Sequence, residues 1–343
     1  MQDFNPNDIG NINNNIFGLP TNEENATVIF IPVPWDVTVS YSAGTSKAPA
    51  AIFDASFQVD LFDPFKEKAW ETSYAMCPIP LEIKEKNDRL KYYSRNVISH
   101  LSKGLAISES DEINKSLDIV NSGCLDLNSW VKDKSKEFVD KNKIVAIIGG
   151  DHSVPLGFIQ TLSEKYEHFA ILQIDAHADL RNAYESFTYS HASVMSNALK
   201  IPQVEKLVQL GIRDYCQEEY DTICRSQGRI ITFFDRDIEN SMYEGKTWKC
   251  YCDKIIQELP LNVYISFDID GLDPKLCPNT GTPVPGGFEL EQVLYLVKKI
   301  TQSGRKLIGF DLVEVSVGQT DWDSNVGARI LWRLCNIMVH NHS

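Results

Sequence analysis

Phe169-Ala-Ile-Leu-Gln-Ile174 followed by Asp175-Ala-His177-Ala-Asp179 is an apolar run that ends in three potential ligands. The run reads as a buried strand. Residues two apart on an extended chain point the same way, so Asp175, His177 and Asp179 can converge from one face. Three such groups are costly to bury unless something positive sits between them. A polar turn closing a strand would account for one acid and accounts poorly for three. A second cluster, Ser266-Phe-Asp268-Ile-Asp270, closes another apolar run further on.

Outward from these stretches, the chain alternates strand-like and helix-like segments. Strands are expected at Thr27–Ile31, Ile144–Ile148, Phe169–Ile174, Leu207–Gly211, Arg229–Phe233, Val263–Phe267 and Lys306–Val313. Helices are expected over Ala48–Val59, Trp248–Glu258, Glu289–Gln302 and Val326–His340, with another opening at Val154-Pro155, where proline suits a first turn. From Asn87 to Asn142 apolar residues recur at three- and four-residue intervals among Lys/Glu pairs, a charged helical stretch with Trp130 and Phe138 expected in the core. Continuous apolar strands alternating with helices imply a three-layer α/β/α fold with a mostly parallel central sheet. No composition break divides the chain, so residues 26–343 are expected to form one domain. The Asn-rich Met1–Asn25 reads as an irregular arm, ordered only where it packs on another surface.

Composition narrows the function. A net charge of −14 argues against nucleic acid or an anionic membrane as a general partner and suits small cations. No apolar run approaches the roughly 20 residues that span a bilayer. The N-terminus lacks a basic start and an apolar signal core. The eight cysteines are scattered, and Cys250-Tyr-Cys252 lacks the two-residue gap of redox or zinc motifs. A reduced cytoplasmic compartment is the expectation.

In an open parallel sheet, ligands sit outside the carboxyl ends of the strands. Three strand ends there carry His152 from Gly149-Gly-Asp-His-Ser153, the Asp175, His177, Asp179 set, and Asp268 with Asp270. Two histidines and four carboxylates are too many for one tetrahedral zinc. An oxygen-rich set favours Mn²⁺ and admits Ni²⁺ or Co²⁺ through the imidazoles. Two divalent ions roughly 3.5–4 Å apart would share the bridging carboxylates and activate a hydroxide. His152 alone would pass for a hydrogen-bonded core histidine; six such residues at strand ends do not.

Together, Gly149-Gly-Asp-His-Ser153, Asp175-Ala-His-Ala-Asp179 and Ser266-Phe-Asp-Ile-Asp-Gly-Leu-Asp-Pro274 resemble the ureohydrolases: arginase, agmatinase, formimidoylglutamase and guanidine hydrolase. The resemblance runs from about Thr27 to the C-terminus. It implies an arginase-like fold with a dinuclear metal site that hydrolyses a guanidino carbon and releases urea. By position, Asp175 and Asp268 would bridge the ions, His152 and Asp179 would complete one, and His177 and Asp270 the other. Asp179 would also orient the attacking hydroxide. Glu314, in Gly309-Phe-Asp-Leu-Val-Glu-Val315, matches the family's guanidinium-binding glutamate, and a planar guanidinium accepts bidentate pairing. Its plainer alternative is an ion pair with an arginine such as Arg329. His191, in Tyr189-Ser-His-Ala-Ser193, matches the loop histidine that carries protons to the leaving group, a task suited to imidazole.

The substrate is less sharply marked. Pro278-Asn-Thr-Gly-Thr-Pro-Val-Pro-Gly-Gly287 resembles the stiff loop of agmatinase-type members. Arg181 follows Asp179 in a run also seen in formimidoylglutamases, where a cation could meet a substrate carboxylate. The runs Pro34–Gly44, Ala183–Ser193 and Trp322–Gly327 look most like the guanidine hydrolase branch. On that reading Trp322 would be a wall that shortens the pocket, with Thr38 or Thr45 lining it, and free guanidine would be the leading substrate. Agmatine is the alternative, ahead of other guanidino compounds. The family is commonly trimeric or hexameric, so a homo-oligomer is expected, with the N-terminal arm packing across subunits. A catalytically dead metal-binding relative would have lost a ligand, and a single-zinc deacetylase-like enzyme would need fewer carboxylates.

Overall fold

The computed structural model describes residues 4–342. Its eight strands form one all-parallel sheet. They are β1 (Val28–Pro32), β2 (Tyr74–Met76), β3 (Ile144–Ile148), β4 (Phe169–Ile174), β5 (Val204–Ile212), β6 (Ile230–Phe234), β7 (Asn262–Asp268) and β8 (Lys306–Val313). Their spatial order is β2-β1-β3-β8-β7-β4-β5-β6. Helices return the chain between strands: α1 (Ala48–Ser56), α2 (Leu81–Leu101), α3 (Asp111–Val139), α4 (Leu156–Lys165), α5 (Val194–Ala198), α6 (Gln217–Arg225), α7 (Asp235–Tyr243), α8 (Trp248–Glu258), α9 (Leu290–Gln302) and α10 (Trp322–His342).

Strand alternation divides the interior into two cores. Val28 and Phe30 of β1 face a core shared with α1, α8, α9 and α10, whereas Ile29 and Ile31 face one shared with α2, α3 and α4. Both faces of the sheet are thus covered, which is why the strands read as unbroken apolar runs. The three-layer α/β/α expectation holds, and the sheet is wholly rather than mostly parallel.

Several local expectations are corrected. The charged stretch is two helices, α2 and α3, separated at Gly104 (φ +75°), with Ser110 Oγ capping α3 through the N–H of Ile113. The short strand β2 and the helices α5, α6 and α7 were not expected: β2 spans three residues, α5 five, and α6 and α7 are nine-residue helices of largely polar composition. The N-terminal arm is not irregular throughout. Ile16, Phe17 and Leu19 are fully buried, and the Phe17 ring packs edge-on against Trp332, centroids 5.0 Å apart. This part of the arm packs on its own domain, completing the core beneath β1 and β2.

Candidate metal centre and substrate pocket

Four strands adjacent in space, β3, β8, β7 and β4, end on one edge of the sheet and deliver His152, Glu314, the Asp268–Asp270 pair and the Asp175–Asp179 turn. Close backbone packing sets their positions. A Cβ at Gly150 would lie 1.7 Å from the carbonyl oxygen of Trp35, so only glycine lets the chain turn there and present His152. Gly271 is constrained likewise, its notional Cβ 2.7 Å from the backbone N of Asp175. Asp179 and Glu314 both take left-handed backbone conformations, φ +54° and +59°. Such strain in non-glycine residues collects where side chains must be aimed.

The donor atoms form two groups joined by one residue. His152 Nδ1 stands 2.9 Å from Asp175 Oδ2, 3.0 Å from Asp179 Oδ2 and 3.3 Å from Asp268 Oδ2. His177 Nδ1 stands 3.0 Å from Asp270 Oδ2 and 3.6 Å from Asp175 Oδ1. Asp175 therefore turns one oxygen to each histidine and belongs to both groups. Backbone N–H groups fix the carboxylates: Asp175 accepts from His177, Asp268 from Asp270, and Asp270 from Ala176. The last of these bonds ties the β7 turn to the β4 turn.

This set fits divalent cations. His152 Nε2 is engaged by Ser266 Oγ at 2.9 Å, while its buried Nδ1 makes no hydrogen bond despite the three carboxylates around it. A histidine anchored through one nitrogen, with the other free toward carboxylates, is set up to ligate. The carboxylates also need positive charge. Burial, then the charge of Asp175, pushes Asp179 up to about 7. Burial, then Asp270 and Asp175, holds Asp268 well above the usual carboxylate range.

The groups floor a cavity of about 350 Å³. Glu314 lies in its wall, buried; Oε1 accepts the N–H of His152 at 2.9 Å. Burial, and next the charge of Asp151, raises its carboxyl well above the ordinary value. Arg329 is not its partner: that guanidinium bonds Asn325 and the carbonyl of Gln58. His191 also lines the cavity, with Nδ1 3.4 Å from Thr38 Oγ1 and its ring edge-on to Tyr184. Burial, then repulsion from His177 and His152, pushes it down to about 4. Arg181 sits at the mouth, over the ring of Tyr184 and 3.9 Å from Glu219.

Two expected pocket residues are elsewhere. Trp322 opens α10, is 45% exposed, donates Nε1 to the carbonyl of Lys275 and does not line the cavity. At the start of α10 its indole turns toward Lys275, away from this cavity, and does not form the wall expected of it there. Thr45 is buried in the turn ahead of α1 and also lies off the cavity. Thr38 reaches the site through His191. Sequence reading missed Ser266 and Gln173, although each lies two residues before an expected ligand, Asp268 or Asp175, and so shares its face. It also missed Arg213, which donates to the carbonyls of Asp270, Leu272 and Val284 and so pins the Pro278–Gly287 loop beside the site. Thr280 ties the same loop to Glu314 through its carbonyl.

Paired His/Asp groups at the carboxyl edge of a parallel sheet, beside a buried glutamate, define a metal-dependent hydrolase. The chain belongs to the arginase family, which its residues 26–336 match. It is 27% identical over 297 residues to the N(1)-aminopropylagmatine ureohydrolase of Synechocystis sp., covering 86% of this chain and 83% of the relative. It is 26% identical over 297 residues to the agmatinase of Bacillus cereus, covering 87% and 86%. The fold matches the agmatine ureohydrolase of Thermoplasma volcanium with a TM-score of 0.69 at 20% identity, covering 94% of this chain and 93% of that one. The chain is an arginase-family ureohydrolase, a hydrolase of guanidino C–N bonds in a family that depends on paired divalent metals.

Proposed function

We propose that the protein releases urea from an alkylguanidine of agmatine's size. The observation that carries this is Glu314, whose Oε2 remains for a guanidinium while Oε1 is held by His152, in a cavity of about 350 Å³. Two divalent ions, Mn²⁺ or Ni²⁺, would be held by His152, Asp175, His177, Asp179, Asp268 and Asp270. When bound they supply the Lewis acidity that makes a water nucleophilic near neutral pH. Glu314 holds the cationic substrate by charge-assisted pairing and keeps its central carbon over the ligand cluster. Asp179, strained into place beside His152, orients the attacking oxygen. Water oxygen adds to the carbon, the bond to the alkyl nitrogen breaks, and both water protons end on the departing nitrogen, one of them passed by His191. The products are urea and the alkylammonium ion.

Free guanidine is the sequence-based expectation because the runs Pro34–Gly44, Ala183–Ser193 and Trp322–Gly327 look most like the guanidine hydrolase branch, with Trp322 as the wall that would shorten the pocket. The indole lies outside the cavity and gives no such wall, and relatives named for agmatine and its aminopropyl derivative favour a tailed substrate. We read the protein as cytoplasmic, in line with eight unpaired cysteines, and as a homo-oligomer, trimeric or hexameric. The test is urea released from agmatine, N(1)-aminopropylagmatine, guanidine, arginine and 4-guanidinobutyrate after loading with Mn²⁺ or Ni²⁺. The largest kcat/KM is expected for agmatine or its aminopropyl derivative. Turnover of guanidine alone would overturn the substrate, and no urea from any of them would overturn the reaction.

A further inference from the structure

The interior of the sheet is mostly apolar, yet neighbouring strands β4, β5 and β6 carry Gln173, Gln209 and Thr232 in register. Both glutamines are fully buried. Their hydrogen bonds all run one way. Thr232 Oγ1 donates to Gln209 Oε1 at 2.8 Å, Gln209 Nε2 to Gln173 Oε1 at 2.7 Å, and Gln173 Nε2 to Asp175 Oδ2 at 2.9 Å. The same two amides also hold the turn that carries the ligands: Gln173 Nε2 donates to the carbonyl of His177, and Gln209 Nε2 to that of Ala178.

The direction matters. Reversing the Gln173 amide would set its oxygen against a carboxylate, and Thr232, a hydroxyl donor at the far end, fixes the orientation of Gln209 in turn. Two amides in the middle of a sheet stabilise nothing that leucines would not stabilise as well, unless the polar row itself is needed. What the row reaches is Asp175, the residue common to both donor groups, at the oxygen that faces His152.

We propose that the Thr232–Gln209–Gln173 row is a positioning device that sets the plane of the Asp175 carboxylate, so that one oxygen serves each metal. This rests on the reading that the site holds two divalent ions. Fixing a ligand carboxylate through a buried donor raises metal affinity by removing the alternative orientations that ligation would otherwise have to select.

The test measures Mn²⁺ affinity and stoichiometry by titration of the metal-free full chain, alongside its metal-free melting temperature. Gln173→Met, which lacks the donor at similar size, is expected to weaken binding of at least one ion about 10–100-fold while the metal-free melting temperature stays near wild type. Thr232→Val should weaken binding less, and Thr232→Ser, which keeps the hydroxyl, should restore it. Wild-type affinity in Gln173→Met overturns the proposal. Should that variant fail to fold, equal affinities in Thr232→Val and Thr232→Ser overturn it. A wild-type chain that binds no ion overturns the two-metal reading on which it rests.

Discussion

Glu314 Oε1 accepts the backbone N–H of His152 at 2.9 Å, so the carboxylate assigned to the substrate is fastened to a residue of the metal cluster. On the proposed reading, this bond would hold substrate and ions in one frame. Glu314→Gln keeps the acceptor and removes the charge. Losing the anionic partner of a buried cation costs about 3–5 kcal/mol, so kcat/KM should fall on the order of 150- to 4,000-fold. Metal content should stay at the wild-type value. Steady-state kinetics with elemental analysis check both.

His191 touches the cavity without belonging to either donor group. His191→Asn should lower kcat by about 10²–10⁴-fold, the range for losing a positioned proton carrier. KM and metal content should change little. A variant that loses metal in proportion to activity would make His191 a ligand-supporting residue instead.

The crowded carboxylates set a pH dependence for the metal-free protein. Asp179 at about 7 and Asp268, higher than usual, hold protons in the folded state that the unfolded chain releases. Asp151 and Asp311, raised by burial to about 7 and about 6, do the same. The stability these protons confer is present below the ordinary carboxylate range and is lost as pH rises through about 7. His191, lowered to about 4, acts oppositely, costing stability below its ordinary value and ceasing to do so as pH rises. The carboxyls outnumber it. The metal-free chain should melt on the order of 5 °C lower at pH 7.5 than at pH 5, and Mn²⁺ should abolish the difference. Calorimetry at both pH values, with and without Mn²⁺, checks this.

Trp322 provides a control. Its indole is exposed and bonded to Lys275 away from the cavity, so Trp322→Ala should leave kcat/KM for agmatine and guanidine within about twofold, as for other surface substitutions. A switch in preference toward agmatine would restore the wall that the sequence led us to expect.

The parallel sheet was legible in the sequence because its strands are buried on both faces, and Ile144–Ile148, Phe169–Ile174 and Lys306–Val313 have the expected bounds. The six expected ligands converge because all lie at or within five residues of the carboxyl ends of neighbouring strands, on one edge of the sheet. Trp322 and Thr45 were misplaced because a loop residue's direction depends on contacts made across the fold, here with Lys275 for the indole. Phe17 was overlooked for the same reason: its partners, Trp332, Tyr74 and Phe30, come from distant segments. Gln173 was visible as a polar residue in an apolar strand, but its meaning needed the register that sets it beside Gln209.

The central claim is that Asp175 divides its two oxygens between two ions. Anomalous scattering from a crystal of the Mn²⁺-loaded protein tests it directly. The account predicts two peaks flanking Asp175, one against Oδ2 with His152 Nδ1 and one against Oδ1 with His177 Nδ1. A single peak, or peaks that leave either histidine uncoordinated, would contradict it.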